Sequence, residues 1–346
     1  MRIRVLVADD SAIARAVLRD ILEVDPEISV VGEARNGREA VELARRLAPD
    51  IVTMDLGMPV LDGMGAIAEI MAFTPLPILV VSSALDAGKA YAAVQCGALE
   101  VLAKPDSTEA SRAELVGKVR ALASVKVRPP SGPDPSGRHN DKSAAFPVSP
   151  AKPEAGALPI FAIASSTGGP QALARILSSL PRDFPGSVLI AQHISEGFAP
   201  GLVQWLSTTC KLKVRLAKGG ESPEAGEVYV SPSESNLSLA PSGRLVLTPP
   251  VGRQVFHPLC DALLNSVAMT RGRRGVGIIL TGMSEDGVRG LAAIKESGGL
   301  TIAQDEASSV VFGMNKVAIE RGAAKEVLPL EAIAAEMCRV AEGSRL

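Results

Sequence analysis

VLVADDSAIARAVLRDIL, residues 5–22, decides how the chain folds. A short apolar run, VLVA, stops at a pair of aspartates. Behind them Ile13, Val17, Ile21 and Leu22 recur at helical spacing. The stretch reads as strand, acidic turn, helix. Charges flank its apolar core at the N-terminus, which predicts a buried strand and not a signal peptide. The alternation then repeats. Strands are predicted at ISVVGEA (28–34), DIVTMD (50–55), LPILVVSS (76–83) and LEVLAK (99–104), with helical patterns between. This order predicts a parallel sheet with helices on both faces.

The pattern breaks at residues 124–157, SVKVRPPSGPDPSGRHNDKSAAFPVSPAKPEAGA. Pro, Ser and Gly crowd this stretch and apolar periodicity is lost, so it reads as a linker. Strands return at PIFAIAS (159–165), SVLIAQH (187–193), GVGIILTG (275–282) and LTIAQD (300–305). VYVSP (228–232) and RLVLTP (244–249) lie between, and are expected to form an antiparallel insertion in a second α/β unit. The expected division is 1–122, a linker at 123–157, and 158–346.

Composition agrees with two folded units. The 346 residues suffice for about two domains at roughly 150 residues each. Hydrophobic residues make up 47% and charged residues 21%, enough for ordinary buried cores. A net charge of −2 argues against a polyanion-binding protein. Cys96, Cys210, Cys260 and Cys338 stand far apart, which fits reduced thiols better than a disulfide framework or a zinc site. No apolar run reaches the ~18 residues of a membrane span. A soluble, cytoplasmic protein is expected.

In open parallel α/β sheets, chemistry gathers beyond the carboxyl ends of the strands. Asp9 and Asp10 close the first strand, Asp55 and Ser82 close others, and Lys104 ends the last, before Pro105. Three carboxylates that converge repel one another unless a cation joins them. Mg²⁺ suits such an all-oxygen site. A metal-neutralised carboxylate facing a lysine can take a phosphoryl group. Taken singly, the same residues also serve as turn formers and helix caps.

ADDS, MDLGMPVLDG, VVSS and AKP, at these spacings, resemble the receiver domain of bacterial response regulators over residues 1 to about 122. The resemblance implies a flavodoxin-like fold with Asp55 as phosphoacceptor. It implies Mg²⁺ held by Asp10, Asp55 and the Gly57 carbonyl, with Asp9 helping through water. Ser82 and Lys104 would contact the phosphoryl oxygens. Where many receivers carry an aromatic three residues before the lysine, this chain has Val101.

The second unit opens on AIASSTGGP, residues 162–170. One of its two serines, Ser165 or Ser166, either caps the next helix or acts as a nucleophile. His193 follows SVLIA, and Asp286 follows VGIIL and the turn TGMSEDG. A serine needs an imidazole to take its proton, and a carboxylate to fix the imidazole tautomer and stabilise its cation. Ser…His…Asp is a different order from chymotrypsin and subtilisin, and the G-x-S-x-G elbow of α/β-hydrolases is missing. Geometry defines a triad, so order is no objection. Of three histidines, His139 lies in the linker, and His257 follows a loop and is the weaker candidate base. Asp261, Asp305 and Glu285 compete with Asp286 for the carboxylate role. The unit has no HExxH or other metal spacing, which argues against metal-assisted hydrolysis there.

SSTGGPQAL, LIAQHISEGF and LTGMSEDGV resemble the catalytic domain of the chemotaxis protein-glutamate methylesterases, the CheB family. The resemblance spans nearly the whole chain, since that domain normally follows a receiver and a linker. It implies a doubly wound, mainly parallel α/β hydrolytic domain with no cofactor of its own. It selects Ser166 as nucleophile, since the family's catalytic serine directly precedes Thr-Gly-Gly. His193 becomes the base and Asp286 its partner, with the Met283 backbone N–H in the oxyanion hole. The implied substrates are glutamate γ-methyl esters, and glutamines to be deamidated, on methyl-accepting chemoreceptors. The implied phosphodonor is the chemotaxis histidine kinase. Two segments depart from the family. Ser235 and Asn236 replace an Arg-His pair, and His257-Pro258-Leu259 replaces Arg-Pro-Ser ahead of Asp261.

Two other outputs compete with this reading. A DNA-binding response regulator fits poorly: residues 158–346 hold 18 Lys and Arg against 17 Asp and Glu, a net of +1. RGRRG (271–275) is the one basic cluster, beside a predicted buried strand. A catalytically silent receptor-docking adaptor is the second alternative, supported by the altered segments 231–237 and 257–259.

Overall fold

Two parallel sheets, each with its own run of crossover helices, account for the alternation seen in the sequence. The computed structural model describes residues 2–83, 87–125, 127, 158–250 and 257–343. The first unit runs β1 (Ile3–Ala8), α1 (Ala12–Leu22), β2 (Ile28–Ala34), α2 (Gly37–Leu47), β3 (Ile51–Met54), α3 (Gly63–Phe73), β4 (Ile78–Ser82), α4 (Ala87–Gln95), β5 (Glu100–Ala103) and α5 (Glu109–Ala123). Its sheet has the order β2-β1-β3-β4-β5, all parallel. That is the flavodoxin-like order, with its switch point between β1 and β3. Side chains start the helices where the sequence offers them. Ser11, Asn36, Asp62 and Thr108 each accept a first-turn N–H, at the starts of α1, α2, α3 and α5.

The second unit runs β6 (Ile160–Ser165), α6 (Gly169–Ser179), β7 (Ser187–Gln192), α7 (Ala199–Thr209), β8 (Lys213–Leu216), β9 (Glu227–Val230), β10 (Asn236–Leu239), β11 (Leu245–Thr248), α8 (Cys260–Arg271), β12 (Gly275–Ile279), α9 (Val288–Glu296), β13 (Leu300–Gln304), α10 (Met314–Glu320), β14 (Glu326–Leu328) and α11 (Leu330–Gly343). Its main sheet has the order β14-β13-β12-β6-β7-β9-β8. Every neighbouring pair in it is parallel. Winding starts at β6 and proceeds to β7, β8 and β9 on one side, then to β12, β13 and β14 on the other. The switch point therefore flanks β6. All residues of β6, β7 and β12 are buried, as continuous apolar strands in a sheet covered on both faces must be.

The segment between β7 and α8 differs from expectation. VYVSP was expected in an antiparallel insertion, but β9 lies in the main sheet, parallel to β7 and β8. The antiparallel element is the β10–β11 hairpin. β8 was not foreseen because its polar positions read as loop. Lys213 and Arg215 instead reach Glu227 on the neighbouring strand, at 2.6 and 2.9 Å. Most of the expected linker at 123–157 lies outside the described residues.

The two units touch. The Tyr91 ring on α4 stacks on Trp205 of α7, with centroids 6.0 Å apart and planes at 16°. Gln171 of α6 donates to the Ala98 carbonyl at 2.8 Å. Among the described residues, no helix is long and apolar enough to cross a membrane.

Candidate functional site

The three strands around the second switch point, β6, β7 and β12, each deliver one turn to the same crevice. Ser166 is the first residue past β6. Its N–H donates to the Thr281 carbonyl at 3.1 Å, so the turns after β6 and β12 are tied together. They also touch at Gly282: a Cβ there would stand 2.7 Å from the Ser166 Cβ and 2.3 Å from the Met314 sulfur. Only hydrogen fits at that approach.

The two serines are sorted by their partners. The Ser165 hydroxyl donates to Gln192 Oε1 at 2.7 Å and is fully buried. The Ser166 hydroxyl makes no hydrogen bond to any described residue. Neither serine caps α6, whose first turn starts at Gly168 with φ +78° and no side-chain cap. Gly168 carries the left-handed conformation that lets the chain turn from the strand into the helix.

His193 is the first residue past β7, and its N–H donates to the Ser165 carbonyl at 2.9 Å. Its Nε2 lies 2.8 Å from Asp286 Oδ2, with both side chains buried. An ionised carboxylate only accepts, so Nε2 carries the proton and Nδ1 is the basic nitrogen. Asp286 also accepts the N–H groups of Cys260 (2.7 Å, Oδ2) and Asp261 (2.9 Å, Oδ1). Burial pushes its carboxyl upward. The His193 bond and the two backbone donors outweigh that and hold it below the usual carboxylate range. The nearby Cys260 thiol is pushed well up by burial, with Asp286 adding to the effect, and donates to the Ala191 carbonyl at 3.3 Å. It stays a thiol and is no rival nucleophile.

The competing carboxylates are engaged elsewhere. Asp305 accepts from the N–H and hydroxyl of Ser308, and Glu285 pairs with Arg321. Asp261 lies one shell behind Asp286. The His257 carbonyl accepts the Ile194 N–H at 2.9 Å, which places its backbone beside the His193 turn. Met283, 42% exposed, lies in the turn before Asp286, and its N–H finds no acceptor among the described residues.

At the first switch point, carboxylate oxygens of Asp9, Asp10 and Asp55 lie within 4.8 Å of one another. Lys104 Nζ is 2.7 Å from Asp9 and 3.2 Å from Asp55. Burial raises the Asp55 carboxyl above its ordinary range; Lys104 opposes the rise and Asp9 adds to it. Burial opposes the charge on Lys104, but Asp9 and Asp55 hold its ammonium protonated. The Ser82 hydroxyl is buried with no hydrogen-bond partner among the described residues. The Gly57 N–H donates to Asp55 at 3.1 Å. An acidic cluster of two buried aspartates and the exposed Asp10, with one facing ammonium and one unused hydroxyl, fits a divalent cation and an incoming oxyanion.

The first unit reaches all three turns of the second site. Glu100 of β5 accepts the Gly168 N–H at 3.2 Å, two residues past Ser166. The Ala103 N–H donates to Ser195 Oγ at 3.3 Å, two residues past His193. Gly117 of α5 approaches Met283 so closely that a Cβ would stand 3.1 Å from its terminal methyl. Lys118 lies 3.5 Å from the Glu100 carboxylate and balances it.

Sequence reasoning missed three residues of this neighbourhood. Gln192 accepts from Ser165 and donates to the carbonyls of Ser166 and His193, at 2.9 and 2.7 Å. A buried amide in an apolar strand was its only signal. Thr281 joins Ser166 to the Thr167 carbonyl and Gln304. Glu100 had no signal, since Gly168, the residue it accepts from in the second unit, lies beyond the linker.

Fold and site together define a response regulator whose receiver is joined to an α/β unit with a buried serine and a histidine–aspartate pair. Comparison with known proteins narrows this. Residues 5–116 match the response regulator receiver domain, and residues 161–337 match CheB methylesterase. The chain belongs to the CheB methylesterase family and carries that family's receiver. It is 49% identical to a protein-glutamate methylesterase/protein-glutamine glutaminase of Paramagnetospirillum magneticum, over 99% of this chain and 97% of the relative. It is 44% identical to one of Myxococcus xanthus, over 95% and 91%. The Thermotoga maritima CheB methylesterase catalytic domain superposes with a TM-score of 0.51 at 36% identity, covering 53% of this chain and 99% of that one.

Proposed function

We propose that the chain is a protein-glutamate methylesterase and protein-glutamine glutaminase acting on chemoreceptors in the cytoplasm, gated by phosphorylation of Asp55. The observation that carries the reading is the buried His193–Asp286 bond at 2.8 Å beside a serine whose hydroxyl is unused. Residues 1–122 form the receiver, 123–157 the linker and 158–346 the hydrolase.

Ser166 Oγ attacks the ester carbonyl and its proton passes to His193 Nδ1. Asp286 stabilises the imidazolium through Nε2. The Met283 N–H donates to the oxyanion, where negative charge develops in the transition state. Collapse expels methoxide, which takes the proton from Nδ1 and leaves as methanol. Water then attacks the acyl-enzyme and gives a proton to Nδ1; the acyl–Oγ bond breaks, Ser166 Oγ takes that proton back, and the free γ-carboxylate leaves. With a glutamine substrate the leaving group is ammonia.

Mg²⁺ would be held by Asp10, Asp55 and the Gly57 carbonyl, with Asp9 acting through water, and would neutralise charge during phosphoryl transfer. Asp55 accepts the phosphoryl group from a chemotaxis histidine kinase. Ser82 and Lys104 then engage its oxygens. Lys104 ends the strand that contacts the Ser166 and His193 turns, which supports coupling between the two sites. Methanol release from a methylated chemoreceptor, with and without a small-molecule phosphodonor and Mg²⁺, tests the proposal. Release that rises with phosphodonor is expected. No release in either condition would refute it, and the adaptor reading would then stand.

A further inference from the structure

Two helices behind the catalytic pair exchange carboxylates at their N-termini. The first N–H groups of α8, from Cys260 and Asp261, donate to the Asp286 carboxylate at 2.7 and 2.9 Å. The first N–H groups of α9, from Gly287 and Gly290, donate to Asp261 Oδ1 at 3.0 and 2.8 Å. Neither helix has a capping side chain of its own. Each carboxylate thus satisfies orphan donors of the other helix and lies at the positive end of its dipole. The helices meet at backbone contact: a Cβ on Gly290 would stand 2.5 Å from the Leu264 Cβ and 3.1 Å from the Asn265 nitrogen.

Asp261 therefore holds residue 286 at both ends. Its N–H bonds the Asp286 side chain, and its own carboxylate bonds the N–H of Gly287, the next residue. Gly287 has φ +99°, a conformation open to glycine, so the turn can present its N–H to the Asp261 carboxylate without strain. Asp261 is buried, and its second oxygen pairs with Arg289, whose side chain is 83% exposed. An exposed pair of that kind contributes little by itself. The buried bonds to Gly287 and Gly290 are the ones that fix geometry.

We infer that Asp261 is a positioning residue: it locks the Asp286 turn and thereby orients His193. The inference rests on the reading of His193 and Asp286 as the base and its partner. It predicts that the shape of the 261 side chain matters more than its charge. Asp261→Asn keeps an oxygen for Gly287 and Gly290, Asp261→Ala removes it, and Asp261→Glu keeps the charge but displaces it by a methylene.

The test uses the full chain and two readouts. The first is the rate at which a fluorophosphonate labels Ser166, located by mass spectrometry. The second is the imidazole Nε2–H resonance of His193 in protein carrying ¹⁵N-histidine, assigned with His193→Gln. Asp261→Ala and Asp261→Glu should slow labelling by roughly 10–100-fold, the order expected for a misplaced catalytic group. Both should move or broaden the His193 resonance, and Asp261→Asn should recover most of the rate and the wild-type shift. Should the alanine variant fold poorly, the comparison of Asn with Glu decides. An unmoved resonance in Asp261→Glu, or an asparagine variant as slow as the glutamate variant, would overturn the inference. Wild-type protein that leaves Ser166 unlabelled would count against the serine hydrolase reading alone, since the resonance still reports on Asp261.

Discussion

Glu100 and Gly168 lie in different units, yet the carboxylate of one accepts the backbone N–H of the other at 3.2 Å. Glu100 sits four residues before Lys104, and Gly168 two residues after Ser166. The contact joins the Asp9–Asp55 pocket to the Ser166 turn through one short strand. In the proposed gated enzyme this contact belongs to one of two packings, and a ligand would shift between them only by its difference in affinity for the two.

Glu100→Ala should weaken the docked packing and raise methanol release without phosphodonor. Coupling of ~1–3 kcal/mol corresponds to roughly 5–150-fold, and one contact should supply the lower part of that range. Measuring initial rates with and without phosphodonor checks this. A variant slower than wild type in both conditions would show that Glu100 supports catalysis.

Asp55→Asn should keep the basal rate and lose the gain from phosphodonor and Mg²⁺. A fragment starting near Leu158 should match or exceed the phosphorylated full chain, because nothing then covers the three turns. A fragment slower than the unphosphorylated full chain would mean that the receiver mainly assists the hydrolase.

Mg²⁺ should raise the thermal stability of the receiver at neutral pH, by about 2.7 kcal/mol at a hundred times its dissociation constant. The Asp55 carboxyl is raised above its unfolded value, so its ionised form destabilises the fold above that raised pKa. Acidification through the raised pKa relieves the strain by protonation. The Mg²⁺ benefit should therefore shrink as pH falls, because proton and cation compete for one carboxylate. Melting curves across pH, with Asp55→Asn as control, read this out. A Mg²⁺ effect that persists unchanged in Asp55→Asn would contradict it.

Gly282→Ala should inactivate the hydrolase and spare the receiver. The added methyl would press on the Ser166 Cβ and the Met314 sulfur. Methionine can yield, but the serine Cβ cannot move without leaving the site. Displacement near 1 Å is enough for a loss of about 10²-fold. Autophosphorylation from a small phosphodonor should proceed at the wild-type rate. An active Gly282→Ala enzyme would show that the Ser166 turn is more yielding than its packing implies.

The strands and the turns that end them were legible because parallel strands are short, apolar and buried on both faces. Ser166, His193 and Asp286 stood out as candidates because each follows such a strand. Edge strands were harder. β8 mixes Lys213 and Arg215 with apolar residues, and β14 has three half-exposed or exposed residues, so neither carries a hydrophobic signal. β9 was placed in an insertion because strand order is not written in local sequence. Gln192, Asp261 and Glu100 each act on a turn that is distant in sequence: Gln192 on the Ser166 carbonyl, Asp261 on the Gly287 N–H and Glu100 on the Gly168 N–H. Local patterning holds no trace of such pairs.

The central claim is that Ser166, and not its neighbour, is the nucleophile. Ser165 is spent on Gln192, while Ser166 stands free past the strand end. Methanol release from a methylated chemoreceptor, compared between Ser165→Ala and Ser166→Ala, tests this most directly. The account predicts that Ser165→Ala keeps substantial activity. Ser166→Ala should retain only the residual ~10³–10⁴-fold catalysis over water that binding and the oxyanion hole supply. An inactive Ser165→Ala beside an active Ser166→Ala would contradict it.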